Sequence, residues 1–220
     1  MPSEKSTVEK SMVHVIDDDE ALRHSLKFLL ESAGIEVVTH ESAGAFLDIV
    51  SKVEPACIIT DVRMPGLSGI DLLARMKELK LDVPVIVITG HADVPLAVEA
   101  MKAGAADFFE KPFDDEALLA SVRSALGRHE RDHRRHAERA EIDARLASLS
   151  SRERDVLMGL VAGHANKQIA FDLGISPRTI EIYRANLMTK MHAASLSDLV
   201  RMALVAGLLD TATGETSRPT

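Results

Sequence analysis

Asp17 with Asp18, Asp61, Thr89 and Lys111 are the side chains of this sequence placed to do chemistry, because each stands at or just beyond the end of a short apolar run. The runs close as Val15-Ile16-Asp17-Asp18, Ile59-Thr60-Asp61 and Ile88-Thr89, and a last one leads into Lys111-Pro112-Phe113. Three carboxylates brought to one spot repel and raise one another's proton affinity unless a cation neutralises them. An oxygen-rich set of this kind suits Mg²⁺, which takes one or two carboxylates, some waters and a substrate phosphate. Lys111 adds a point charge and Thr89 a hydroxyl donor for phosphoryl oxygens. In such a site a carboxylate can attack phosphorus and become an acyl phosphate, while Lys111 and the metal stabilise charge on the equatorial oxygens.

That chemistry requires the run ends to converge. The runs Met12 to Ile16, Glu36 to Val38, Ala56 to Thr60, Pro84 to Thr89 and Ala106 to Phe109 are rich in Val and Ile and read as strands. Segments of helical period lie between them: Glu20 to Ala33, Ala43 to Val50, Gly69 to Leu79 and Pro95 to Ala103, with a fifth from near Asp114. Five alternations predict a doubly wound parallel α/β sheet with helices on both faces. Its chemistry sits beyond the carboxyl ends of the strands, at the switch point in strand order.

The 220 residues allow two modest domains, and 46% hydrophobic with 27% charged residues is the composition of a soluble globular chain. One cysteine, Cys57, excludes an intramolecular disulfide framework and a multi-cysteine zinc site. No apolar run is long enough for a bilayer, and the opening residues lack a signal-peptide core, so no membrane association and a cytoplasmic location are expected. The net charge of -8 is uneven: residues 1 to 127 hold 22 Asp and Glu against 12 Lys and Arg, whereas 149 to 210 hold 6 against 7. The acidic part repels polyanions, and the near-neutral part can touch phosphates if its cations share a face.

Residues 128 to 147 carry opposite charges four apart, at Glu130 and Arg134, Arg134 and Glu138, and Glu141 and Arg145, which predicts a solvated helix continuing the fifth. From Leu149 all elements read as helical. Asn166-Lys167-Gln168-Ile169-Ala170, then Gly174, then Ser176 as cap and Pro177 at a first helical position spell an all-α helix-turn-helix. Ile169, Ala170, Leu173, Ile180 and Leu187 would be its core. Arg178, Thr179, Glu181, Ile182, Arg184, Ala185 and Asn186 would face a major groove of double-stranded DNA, with Lys167 and Lys190 on the phosphates.

Residues 12 to 126 resemble the flavodoxin-like receiver domain of two-component response regulators, on Asp17 and Asp18, Asp61 followed by Met64-Pro65-Gly66, Thr89, and Lys111-Pro112-Phe113. The resemblance implies that Asp61 accepts phosphate from a sensor histidine kinase, with Thr89 and Lys111 assisting. It implies that Asp17, Asp18, Asp61 and the backbone carbonyl of Arg63 hold Mg²⁺. Thr89 and Phe108 match the switch pair, in which the hydroxyl moves to the phosphoryl group and the ring turns inward. Arg63 and His91 match the pocket mouth, and Asp19 reads as a first-turn acid of helix one.

The C-terminal segment resembles the DNA-binding domain of the LuxR and FixJ class, with Pro177 to Met191 as recognition helix and Ser195 to Gly207 as a helix that supports dimerisation. Tyr183 and Glu181 stand where that class commonly has His and Lys. The expected organisation is a tail over 1–11, a receiver over 12–126, a helical linker over 127–147, the DNA-binding domain over 148–210 and a tail over 211–220. The wording from Ile88 to Ala105 is similar to nitrogen-fixation regulators of this class. That implies nitrogen-fixation or microaerobic target genes, a FixL-like kinase and RNA polymerase as partners. The chain is then a transcriptional activator, not an enzyme beyond its own phosphoryl transfer and slow autodephosphorylation. Phosphorylation would remodel the face holding Val98, Lys102 and Phe108 and favour a homodimer on paired half-sites.

Three rival readings start from other features. An aspartyl-phosphate phosphohydrolase would use the acid-x-acid pair of Asp17 and Asp19, but Glu20 and Ala21 follow where a hydroxyl or valine is expected. A metal sensor would use His129, His133 and His136, on one face of the linker helix. An RNA-binding antiterminator would share the receiver but not the helix-turn-helix wording.

Overall fold

Unbroken burial along two strands shows how the N-terminal half is layered. In the computed structural model, which describes residues 12–53, 55–90 and 94–208, strand β3 (Pro55–Asp61) is buried up to its last residue and β4 (Val85–Thr89) throughout. Strands covered on both faces read as continuous apolar runs. With β1 (Met12–Ile16), β2 (Glu36–His40) and β5 (Asp107–Glu110) they form a five-stranded parallel sheet in the order β2-β1-β3-β4-β5. The expected tails over 1–11 and 211–220, and His91, lie outside the described residues.

The period of two sorts the side chains into two cores. Ile16, Ile58, Val85 and Val87 face α2 (Ala43–Leu47), α3 (Gly69–Glu78) and α4 (Val94–Ala103), with Phe46, Leu72, Met76 and Ala100 filling that layer. Val13, Val15, Cys57, Ile59, Ile86 and Ile88 face the other way, onto Leu26 and Leu30 of α1 (Glu20–Ser32) and Leu118 and Val122 of α5 (Asp115–Ala147). Burial pushes the Cys57 thiol up to about 12, which makes it an inert part of this layer.

Two boundaries in this half differ from the sequence reading by more than one residue. Helix α2 stops at Leu47 and gives way to a 3-10 turn at Val50–Lys52. Strand β2 runs on to His40, although Thr39 and His40 break its apolar run. A buried pair lies at that end: His14 Nδ1 is 2.9 Å from His40 Nε2, the two rings lie edge to edge and nearly parallel, and Phe46 meets both edge-on.

The chain divides into two compact units between Asp132 and His133, within the 33-residue α5. The charge pattern predicts a solvated helix over residues 128–147. The last turns of α5 instead bury Ile142, with Leu146 partly buried, in the core of the second unit. That core gathers Val156, Leu157 and Leu160 of α6 (Ser151–Val161), Ile169 and Ala170 of α7 (Asn166–Leu173), Ile180, Leu187 and Met191 of α8 (Pro177–Met191), and Leu199 and Met202 of α9 (Leu196–Val205). Gly174, at φ 66°, closes α7 in the left-handed conformation that favours glycine, and Ser176 caps α8 by accepting from the Thr179 amide.

Candidate functional site

The first step of the site is topological. The chain leaves β1 toward β2 on one side and returns as β3 on the other, so β1 and β3 flank the switch point. Asp17 and Asp18 follow β1, and Asp61 is the last residue of β3. One carboxylate oxygen from each of the three lies within 4.8 Å of the others.

Lys111, from beyond β5, reaches into this cluster. Its Nζ lies 2.9 Å from Asp17 Oδ2 and 3.0 Å from Asp61 Oδ2. Burial raises the pKa of Asp17, against the pull of the Lys111 hydrogen bond. Burial alone would lower that of Lys111, but its bonds to the two carboxylates outweigh it and hold the ammonium above its ordinary value. Among the described residues, three carboxylates therefore face the one ammonium bonded to the cluster, and the donors are all oxygens, a set that fits a small hard divalent cation.

Neighbouring backbone sets the carboxylates. The Asp19 amide donates to Asp17 Oδ1 at 2.8 Å, and Arg23 Nη1 donates to the Asp17 carbonyl at 2.7 Å. Asp19 is not a first-turn acid as expected but the N-cap of α1, accepting from the amides of Ala21 and Leu22. The Arg63 amide donates to Asp61 Oδ1 at 3.4 Å, and the Arg63 residue is exposed. Sequence reasoning missed Arg23 and Gly69. A Cβ on Gly69 would stand 2.2 Å from the Asp61 carbonyl oxygen, so α3 can begin against the end of β3 only with glycine there. The signal was available: Gly69 follows Ser68, which caps α3 in a capping box with Asp71.

Thr89 ends β4 fully buried, and its carbonyl accepts from the Lys111 amide at 2.8 Å. The Lys111–Pro112 peptide is cis. Phe108 is partly buried on β5 beside Val87, while Val98, Met101 and Lys102 are exposed along α4 and line a shallow groove with Ala97.

In the second unit, Arg178, Glu181, Ile182, Ala185 and Asn186 are exposed on α8, and Lys167 is exposed on α7. Three of the expected contact residues have partners within the chain. The Thr179 hydroxyl lies 2.8 Å from Ser176 Oγ, and Arg184 Nη1 donates to Asn166 Oδ1 at 3.5 Å. Lys190 Nζ lies 2.7 Å from Oε2 of Glu153, whose side chain is 5% exposed. The bonds from Lys190 and from the Ser150 amide and hydroxyl hold that carboxyl down at about 2. Among the described residues, no second group of three potential metal ligands converges, at the linker histidines or elsewhere.

A switch-point acidic cluster bridged by lysine, on a β2-β1-β3-β4-β5 sheet followed by a helix-turn-helix, defines a transcriptional response regulator. Residues 13–123 match the response regulator receiver domain, and 147–203 match the bacterial regulatory proteins of the luxR family. The chain belongs to the response regulators that join these two domains. It is 62% identical over 196 residues to the transcriptional regulatory protein FixJ of Azorhizobium caulinodans, covering 89% of this chain and 93% of the relative. It is 55% identical to FixJ of Bradyrhizobium diazoefficiens over 91% of this chain and 98% of the relative. Among solved structures it is similar to full-length FixJ from B. japonicum, with 55% identity, a TM-score of 0.57, and 90% and 98% of the two chains covered. Response regulator StyR gives 38% identity and a TM-score of 0.80 over 89% and 98%.

Proposed function

We propose that Asp61 accepts a phosphoryl group from a sensor histidine kinase and that the C-terminal helices answer by binding promoter DNA. The observation that carries this reading is the Lys111 ammonium bridging Asp17 and Asp61 at the switch point. An Asp61 oxygen bonds to phosphorus as the phosphorus–nitrogen bond of the donor phosphohistidine breaks, and the imidazole keeps that electron pair. Lys111 exchanges its bond to Asp61 for one to a phosphoryl oxygen, and the Thr89 hydroxyl donates to another. Asp17, Asp18 and Asp61, with the Arg63 carbonyl, would hold Mg²⁺, which supplies positive charge against the phosphoryl oxygens when bound. Slow loss of the phosphoryl group to water resets the site.

Thr89 and Phe108 then rearrange, and the α4–β5 face carrying Val98 and Lys102 pairs two receivers. Pairing sets two α8 helices on successive half-sites, as dimeric readers require. Arg178, Glu181, Ile182, Ala185 and Asn186 face the groove, Lys167 and Arg184 the phosphates, and Thr179 the flank of the helix start. Lys190 serves the phosphates only if it leaves Glu153. The identity with FixJ supports nitrogen-fixation or microaerobic promoters, a FixL-like kinase, activation through RNA polymerase and a cytoplasmic setting. A gel shift on such a promoter with the unmodified chain and Asp61→Asn, with and without acetyl phosphate, tests the reading. Phosphodonor should tighten binding only for the unmodified chain, and equal binding in all four lanes would remove phosphorylation as the switch.

A further inference from the structure

The last four carbonyls of a helix have no partner within it, and how they are met fixes the direction of its carboxyl end. In α8 the Met188 and Thr189 carbonyls accept from the amides of His192 and Ala193. The Met191 carbonyl accepts from outside the helix: Arg145 Nη1, on the last turns of α5, donates to it at 3.0 Å. A guanidinium at this end also opposes the helix dipole. Arg145 is itself held, with Nη2 2.5 Å from Glu141 Oε1 one turn back and its side chain 22% exposed. Ile142, on the same turn, is buried in the core that contains Leu187 and Met191. The same stretch of α5 grips α9, where Arg139 donates to the Val205 carbonyl and Glu138 pairs with Arg201 at 2.5 Å.

We infer that Arg145 is a positioning residue for promoter recognition, which aims α8 by clamping its carboxyl end. The inference rests on the reading of α8 as the helix that enters the groove. Arg145 lies ahead of residue 147, where the match to the luxR family begins, so the frame that orients α8 starts in the linker helix. The lever is long. Fifteen residues at about 1.5 Å each make α8 about 22 Å, so a tilt of about 5° at Met191 moves the Pro177 end by about 2 Å. A shift of that size breaks a base-edge hydrogen bond, which tolerates only a few tenths of an ångström.

The test uses the full-length chain and a fluorescent duplex enriched by the unmodified chain from a random-sequence pool, at a temperature where circular dichroism shows each variant folded. Arg145→Ala should weaken binding about five- to tenfold, the net size of one ordinary hydrogen bond, and speed amide exchange over Met188 to Met191. Its slope of log affinity on log salt should stay unchanged, because this guanidinium meets a carbonyl and a carboxylate and no phosphate. Arg145→Lys should recover part of the loss, and Glu141→Gln should lose about two- to threefold. Should Arg145→Ala not fold, Glu141→Gln decides alone.

Arg178→Ala is the control and should weaken binding and lower the salt slope by about one. If Arg178→Ala weakens binding while Arg145→Ala and Glu141→Gln bind as the unmodified chain does, the inference is overturned and the reading of α8 stands. A slope lowered by about one in Arg145→Ala also overturns it, because the residue would then be a phosphate contact. If Arg178→Ala leaves affinity and slope unchanged, it is the reading of α8 that fails.

Discussion

Lys190, on the helix read as the DNA-recognition element, is bonded through its ammonium to the buried carboxylate of Glu153 at 2.7 Å. A residue expected to serve DNA phosphates is thereby part of the internal frame, and Glu153 closes the capping box of α6 with the same oxygen.

This pair predicts an acid-sensitive second unit. The Glu153 carboxyl titrates at about 2 in the folded chain against an ordinary 4.5, so the unfolded chain binds more protons between those values. Its stabilising contribution is complete above about pH 4.5 and is lost as pH falls toward 2. Glu153→Gln should lower stability at pH 7 by about 1 kcal/mol, discounted for the half-exposed lysine. It should also flatten the acid limb of the unfolding curve measured by circular dichroism. An unchanged acid limb would show that other groups set it.

Gly69 makes a sharper prediction. Its missing Cβ would collide with backbone, the Asp61 carbonyl oxygen at 2.2 Å, and no side-chain rotation relieves that. Gly69→Ala should cost more than about 2 kcal/mol and slow uptake of phosphate from acetyl phosphate, because α3 must back away from the acceptor. A variant with normal melting and normal uptake would mean that α3 moves freely.

Lys111→Ala separates stability from chemistry. Removing the ammonium leaves Asp17 and Asp61 without the lysine that bridges them, so the proton affinity of Asp17 rises further. Phosphorylation of Asp61 by acetyl phosphate should fall about 100-fold, as when one preorganised charge donor is lost. Near-normal kinetics with the variant would show that Lys111 plays no part in the transfer.

The buried histidines add a second pH prediction, of opposite chemistry. Burial, with the neighbouring His40 ring, lowers His14 to about 4, so between pH 6.5 and 4 the unfolded chain takes up a proton that the folded chain refuses. The first unit should lose stability as pH falls through that window. A double variant, His14→Phe with His40→Phe, removes both imidazoles and the His14 Nε2 atom that meets no partner among the described residues. Its thermal midpoint should vary less between pH 6.5 and 4 than that of the unmodified chain, and an equal dependence would contradict the assignment.

The parallel sheet and the convergence of Asp17, Asp18, Asp61 and Lys111 were legible in the sequence because those residues stand at or just beyond the ends of short continuous apolar runs. The helix-turn-helix was legible because Gly174, Ser176 and Pro177 are local signals with local causes. Other features depend on partners far along the chain. His40, at the end of β2, is held by a ring-to-ring bond from His14, 26 residues away. The linker's charge pattern describes the outer face of a helix, and nothing in it shows that Ile142 and Arg145 find a core and a helix end in the second unit. Asp19 was placed one position too far into its helix because capping depends on a backbone angle, not on composition.

The most direct measurement is mass spectrometry of the chain after incubation with acetyl phosphate and Mg²⁺, paired with promoter affinity on the same sample. The account predicts one base-labile, hydroxylamine-sensitive phosphoryl group on the peptide containing Asp61, absent in Asp61→Asn, and tighter promoter binding in step with its occupancy. A phosphoryl group on another residue, or full occupancy of Asp61 with no change in promoter affinity, would contradict it.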